Sequence, residues 1–180
     1  MMLRPFRPTA HGRTIAALYG AIVAQARRPA FYAVLGVPDT VSGRFDLIVL
    51  HLVLLLCRLD ATPAGRSAGE ALFDAFCRDL DGNLREMGVG DLAVPKEMRR
   101  FAGAFYGRQA AYVAALAAPD GRDFENAITR NIFATSGADE NAVRLAAYAR
   151  RVVTELGAQN ETDLLAGNVV FPGPEAFANE

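Results

Sequence analysis

The sequence predicts an all-α protein, a single-domain bundle of about seven helices around one buried apolar helix at residues 45–59. Apolar residues recur along nearly the whole chain at the i, i+3, i+4, i+7 spacing of amphipathic helices. Alternating runs of β-branched residues, which would indicate strands, are missing. The 180 residues are 52% hydrophobic and 22% charged, which is enough apolar sequence for one substantial core. We therefore expect residues 1–180 to form one domain.

The first two helices are predicted from periodicity and proline. Residues 12–27 place Ile15, Leu18 and Ile22 on one face of a helix. Pro29 suits the first turn of a short second helix that ends near Gly36, because proline needs no backbone N–H partner there. A turn follows, since a residue that precedes proline avoids the helical region.

The third helix, residues 41–59, can be capped by Thr40 or Ser42. From Leu47 to Cys57 its residues are apolar except for His51. Even when it is extended to residues 45–59, the apolar run is only about 22 Å long as a helix, which is shorter than the ~30 Å of a bilayer core. We therefore expect the buried centre of a bundle instead of a membrane span, with His51 neutral and hydrogen-bonded inside it.

Residues 61–69, rich in proline and glycine, are predicted to be a linker. The fourth helix then runs to Gly88, which favours a left-handed C-cap. Pro95 opens the fifth helix, which continues to about Leu116. Later helices are expected at about 122–134 and 139–157, with an irregular tail at 168–180.

Charge is unevenly distributed along the chain. Residues 1–38 contain five arginines and no acidic residue, whereas residues 119–180 contain ten acidic residues and five arginines. The basic arm at residues 1–10 could meet an acidic surface, RNA or an anionic membrane, or be a solvated tail. Cys57 and Cys77 are expected to be reduced core thiols in a reducing compartment.

The motifs that would indicate an enzyme or a cofactor site fail on their context. Residues 88–93 match the dinucleotide pattern G-x-G-x-x-A, but a helix precedes them where a strand is required. Residues 79–90 begin like a calcium loop but lack its glycine and its bidentate glutamate. His11 and His51 have no ligand spacing. The prediction is a protein without catalytic residues, cofactor or metal.

Gly103 and Gly107 lie four residues apart in the fifth helix. Each glycine costs a helix about 1 kcal/mol relative to alanine, so two of them suggest close approach of another backbone, inside the bundle or from a partner. Lys96, Arg100 and Arg108 would form a basic edge beside this groove if they stay exposed. Alternatively, Arg108 pairs internally with an acid such as Asp79 or Asp91.

Several segments in a fixed order resemble the ubiquinol–cytochrome c chaperone family. They are Pro-Ala-Phe-Tyr at 29–32, Gly-Val-Pro-Asp-Thr-Val-Ser-Gly-Arg-Phe-Asp-Leu-Ile-Val-Leu-His at 36–51, Asp-Leu-Asp at 79–81, Leu-Arg-Glu-Met-Gly-Val-Gly-Asp at 84–91, and Ala-Phe-Tyr-Gly-Arg at 104–108. The resemblance covers roughly residues 20–160. The length is similar to that of the bacterial branch.

The resemblance implies a non-enzymatic assembly factor for ubiquinol–cytochrome c reductase (respiratory complex III). Its implied client is cytochrome b or an early assembly intermediate, with a second assembly factor and the ribosome as further partners and no DNA. The implied location is cytoplasmic, with peripheral contact at the inner membrane, or on the matrix side if mitochondrial. The alternative is a lipid- or quinone-binding protein, or an enzyme, with a cavity between helices.

The resemblance matches charged motif residues of the family to positions in this chain. We add to this set the two glycines of the fifth helix and the basic residues beside them. We predict that this set contacts a partner. The alternative is that the charged residues pair with one another in an internal Asp–Arg lattice that holds the bundle together. The predicted partner-binding residues are Arg44, Asp79, Asp81, Arg85, Glu86, Asp91, Lys96, Arg100, Gly103, Gly107 and Arg108.

Overall fold

The computed structural model describes residues 10–119, 121–135, 137 and 139–177. In this part of the chain every regular element is helical, and no strand occurs. The elements are α1 (Ala10–Ala26), α2 (Pro29–Ala33), α3 (Val41–Leu59), α4 (Pro63–Glu86), α5 (Val94–Ala117), α6 (Arg122–Ile128), a π-helical turn (Thr129–Phe133), α7 (Glu140–Ala158), α8 (Glu161–Leu165) and a 3₁₀ turn (Pro174–Phe177). The predicted all-α class is confirmed. Nine of the ten residues of the predicted basic arm lie outside the described residues.

Helix α3 is the centre of the bundle, as predicted. It packs against α1, α4, α5, α7 and the π-helical turn. Residues 49–55 are all buried. Because partners surround it, this helix can be apolar on nearly every side. None of the helices in the described ranges is long and apolar enough to cross a membrane.

The predicted linker at residues 61–69 is wrong, because residues 63–69 form the first turns of α4 and Thr62 is its N-cap. The Thr62 hydroxyl accepts a hydrogen bond from the Gly65 backbone N–H at 3.0 Å, and Pro63 occupies the first turn. A Cβ added at Gly65 would lie 2.0 Å from the carbonyl oxygen of Leu59. Glycine therefore permits a tight connection from α3, and the proline marks a helix start instead of a linker.

The same arrangement starts α3. The Thr40 hydroxyl accepts from the Gly43 N–H at 3.1 Å, and a Cβ at Gly43 would lie 2.0 Å from the carbonyl oxygen of Pro38. Of the two predicted caps, Thr40 is the one used. The spacing of a threonine cap and a glycine three residues later thus recurs at the start of both α3 and α4.

Residues 168–173 are irregular, as predicted for the tail, and residues 178–180 lie outside the described residues. Helix α8 is an element that the sequence pattern does not predict, and residues 168–177 end in a 3₁₀ turn whose Phe177 belongs to the core. The Gln159 side chain fixes this segment, since its amide donates to the Val170 carbonyl at 2.8 Å and accepts from the Val170 N–H at 2.9 Å. The irregular segment is therefore packed against the bundle.

A chain of buried hydrogen bonds crosses the core at His51. Its Nδ1 lies 2.7 Å from the carbonyl oxygen of Leu47, and its Nε2 lies 2.7 Å from the Tyr148 hydroxyl. Because a carbonyl only accepts, Nδ1 carries the proton and Nε2 accepts from Tyr148. Gln25 donates to the same hydroxyl at 2.9 Å and to the Pro172 carbonyl at 2.7 Å. The prediction of a buried, hydrogen-bonded His51 is confirmed, and burial lowers its pKa to about 4.

The cysteines are free, as predicted, but they are not core thiols. Cys57 is exposed and Cys77 is only partly buried. Cys57 lies near the C-terminal end of α3, where this helix reaches the surface.

Candidate client-binding groove

An open groove of about 820 Å³ lies between the C-terminal part of α3, the first half of α4 and the second half of α5. Its lining is mainly apolar and includes Leu56, Leu59, Phe73, Phe105, Tyr106 and Val113. Helices α4 and α5 run antiparallel, since Phe76 stacks on Phe105 while Gly69 shares the groove with Val113 further along. The groove is therefore a cleft along a helical hairpin, with the end of α3 as its floor.

Aromatic side chains shape one wall of this cleft. The Phe73 ring lies 4.7 Å from the Phe105 ring and 5.8 Å from the Tyr106 ring, measured between centroids. Phe105 is buried, whereas Tyr106 is 55% exposed and Val113 is 43% exposed. Aromatic groups that are anchored by buried neighbours and still face solvent are typical of surfaces that bind another molecule.

Charged residues stand at the rim of the groove. They are Asp60 at the end of α3 and Arg66 and Glu70 in α4. Arg66 donates to the backbone carbonyl of Asp60 at 2.9 Å. Partial burial of the Cys57 thiol at the groove floor, and secondarily the negative charge of Asp60, raise the pKa of this thiol. All three charged residues are exposed to solvent.

The groove is not among the sites that the sequence predicts. The sequence pattern places Phe73 and Phe105 in buried stripes. Tyr106 belongs to the Ala-Phe-Tyr-Gly-Arg motif at 104–108, of which only Gly107 and Arg108 are predicted to bind a partner. One signal was present: Tyr106 and Val113 lie seven residues apart on α5, beside the buried stripe that holds Phe105 and Tyr112. An apolar stripe that is wider than the core requires can indicate a second contact surface.

The predicted partner-binding residues lie elsewhere, and several of them are held by internal contacts. Arg44 pairs with Asp39 at 2.7 Å on the surface near the start of α3. Asp79 accepts from the Tyr19 hydroxyl at 2.8 Å, which links α4 to α1. Each of these two residues therefore has a partner within the bundle.

A second group gathers at the α4–α5 turn. Arg85 pairs with Asp81 at 2.7 Å and also with Asp91. This small Asp–Arg cluster closes the hairpin, in line with the predicted alternative of an internal lattice. Glu86 and Lys96 are exposed near it. Arg100 is 72% exposed and pairs with Glu97 in the first turn of α5 at 3.0 Å.

Arg108 does not belong to an exposed basic edge. Its guanidinium lies 2.7 Å from Asp46 in α3, and the two side chains are 19% and 5% exposed. Internal pairing was one of the two predicted alternatives, but the partner is neither Asp79 nor Asp91. Burial raises the pKa of Asp46 to about 6, and the Arg108 charge opposes this rise.

Gly103 and Gly107 are exposed, and a Cβ added at either would meet no atom within 4 Å. Close approach of another backbone inside the bundle, one of the two predicted explanations, is therefore wrong. Approach by a partner stays a prediction.

Among the described residues, no group of three or more His, Cys, Asp and Glu side chains is placed to hold a metal ion. Fold and site together define a class: an all-α helical bundle with an open, mainly apolar surface groove. The chain belongs to the ubiquinol–cytochrome c chaperone family, whose family model matches residues 33–171.

A solved structure supports the same assignment. The chain is similar to the Cbp3 homolog from Brucella abortus, with 37% sequence identity over 92% of each chain and a TM-score of 0.84. None of the curated proteins compared with the chain matches it significantly. Family membership supports a role as an assembly factor and favours a function without catalysis.

Proposed function

We propose that this protein is a non-enzymatic assembly factor for ubiquinol–cytochrome c reductase and that its client is newly made cytochrome b, bound as such or in an early assembly intermediate. The observation that carries the proposal is the open apolar groove in a member of this chaperone family. A membrane protein that has not yet packed exposes apolar segments, and covering them removes apolar area from water. A groove lined by Phe73, Tyr106 and Val113 provides such cover.

The shape of the groove favours a polypeptide over a small molecule. Sites for small molecules bury most of the ligand's surface, and a few precisely placed polar groups fix its orientation. Here the cleft is open to solvent, and its charged residues Asp60, Arg66 and Glu70 are exposed. The geometry therefore supports the chaperone hypothesis over a lipid- or quinone-binding protein.

The exposed residues of the predicted set, except Arg44 in α3, lie on the α4–α5 hairpin that also lines the groove. Glu86, Lys96 and Arg100 lie toward its turn, Gly103 lies just before the part of α5 that lines the groove, and Gly107 lies within that part. We propose that they contact a second part of the client or a second assembly factor. Rim charges of this kind mainly set recognition and the rate of association. The work would take place at the cytoplasmic or matrix surface of the inner membrane, near the ribosome that makes the client.

Complementation tests the proposal in a respiring native host that lacks the gene. Wild type should restore assembled reductase, counted by native electrophoresis and by cytochrome b haem absorbance. Val113→Ser with Tyr106→Ser should fail to restore it and should capture at least tenfold less cytochrome b, since losing an aromatic anchor costs about 2 kcal/mol of binding.

Val143→Ser with Val153→Ser is the matched control, because both valines are similarly exposed on α7 outside the groove. This control should restore normal reductase. Normal assembly in the strain that lacks the gene would reject the proposed function.

A further inference from the structure

The rim of the groove carries two carboxylates without a partner among the described residues. Asp60 and Glu70 form no ion pair or side-chain hydrogen bond there, although several other surface acids are paired. Arg66 lies between them in sequence but donates to a backbone carbonyl and not to either carboxylate. The margin of the cleft where α3 ends thus holds two unpaired carboxylates and one guanidinium, with one negative charge in excess.

An occupant that fits must combine an apolar surface with positive charge at one end. An extended peptide would usually add to a sheet edge, and no strand exists in the described chain. A helix laid along the cleft can bury one apolar face against Phe73, Tyr106 and Val113. Ala110, which also lines the cleft, is exposed and small, whereas Gly69 is buried and packs closely against Leu56.

We infer that the groove binds an apolar helix that carries lysine or arginine at one end, with the cation placed against Asp60 and Glu70. Membrane helices have this pattern, because lysine and arginine are enriched at their cytoplasmic ends. The identification of the occupant as a client segment rests on the proposed function. The chemistry of the groove can be tested without it.

The probes are two synthetic 20-residue helices with one leucine face, identical except for two lysines or two glutamates at one end. We expect the lysine helix to bind the full-length protein three- to ten-fold more tightly, in fluorescence anisotropy at low salt, because its two cations form exposed ion pairs, each of which is weak. The difference should shrink as salt increases.

The protein contains its own reporter of position. Cys57 lines the groove, whereas Cys77 does not. The lysine helix should slow the alkylation of Cys57 and leave Cys77 unchanged. Asp60→Lys with Glu70→Lys should reverse the preference between the two helices. Asp123→Lys with Glu140→Lys, the same charge change at exposed sites on α6 and α7, should preserve it.

Equal affinity for the two helices on the wild-type protein would overturn the inference, and so would unprotected Cys57. Protection of Cys57 by a short-chain quinone but by neither helix would also overturn it, in favour of a small-molecule site. None of these results changes the outcome of the complementation experiment in the strain that lacks the gene. Failure of the inference and failure of the proposed function are therefore distinguishable.

Discussion

The Arg108 guanidinium lies 2.7 Å from the Asp46 carboxylate, and this ion pair joins α5 to α3 inside the bundle. The two residues are far apart in the chain, and each lies beside apolar neighbours on its own helix. Phe45 packs next to the pair, with the Arg108 guanidinium 6.0 Å from its ring. Removing either partner would leave an uncompensated charge in a largely dry environment.

We predict that Arg108→Glu lowers the free energy of unfolding by about 3–5 kcal/mol, because it places a second carboxylate beside buried Asp46. Urea denaturation measures the change. Arg100→Glu is the control on the same helix, and it should cost less than about 1 kcal/mol because Arg100 is 72% exposed. The double variant Asp46→Leu with Arg108→Met should be more stable than Asp46→Leu alone or Arg108→Met alone, because neither charge is left without its partner. An Arg108→Glu protein as stable as wild type would show that the pair is not structural.

Tyr148→Phe should cost about 1–3 kcal/mol, because His51 Nε2 and the Gln25 amide would both lose a buried partner. Thermal melting of the purified protein measures the loss. Tyr106→Phe provides the comparison, since its ring is 55% exposed and its hydroxyl has no buried partner in the described chain. Equal melting temperatures for the two variants would contradict the buried hydrogen-bond chain through His51 and Tyr148.

The two buried titratable groups of α3 should respond to acid in opposite directions. Burial lowers the pKa of His51 to about 4, so its contribution is complete above the usual pKa near 6.5 and is lost as the pH falls toward 4. Burial raises the pKa of Asp46, so its contribution is complete below the usual pKa near 3.8 and is lost as the pH rises through about 6. Between pH 6 and pH 4 the two effects oppose each other.

His51→Gln should therefore gain stability relative to wild type on acidification from pH 7 to pH 4, by about 3 kcal/mol. Asp46→Asn should lose stability relative to wild type over the same interval. Urea midpoints at several pH values separate these slopes from the constant cost of each substitution. Parallel pH profiles for the three proteins would show that neither group is perturbed.

Gly103→Ala with Gly107→Ala should stabilise the protein by about 0.5–1 kcal/mol per site, because alanine favours a helix interior and a Cβ meets open space at both positions. Gly65→Ala should instead destabilise it, since its Cβ would collide with the Leu59 carbonyl oxygen. Reductase assembly adds a second readout. A more stable double variant that assembles less reductase would support close approach by a partner, and normal assembly would argue against it.

The local sequence pattern predicted most of the helices. It failed where the same residue type, such as proline or glycine, occurs both in linkers and at the start of a helix. Proline and glycine at 61–69 indicate a linker when they are read alone, yet Pro63 and Gly65 begin a helix because Thr62 caps it and α3 ends within reach. Cys57 follows a long run of buried helix and still reaches the surface, since the end of α3 forms the floor of the open groove between α4 and α5.

The sequence by itself determined the helical class, the buried position of α3 and the neutral, hydrogen-bonded His51. These follow from periodicity, from an apolar run too short to cross a membrane and from the cost of burying a charge. Only the tertiary structure decided that Arg108 pairs with Asp46, that Gly103 and Gly107 face solvent, and that Tyr106 and Val113 border a groove. Periodicity fixes which residues share a face of one helix. The partner of each face depends on how the helices cross, and that is decided by packing among residues far apart in the chain.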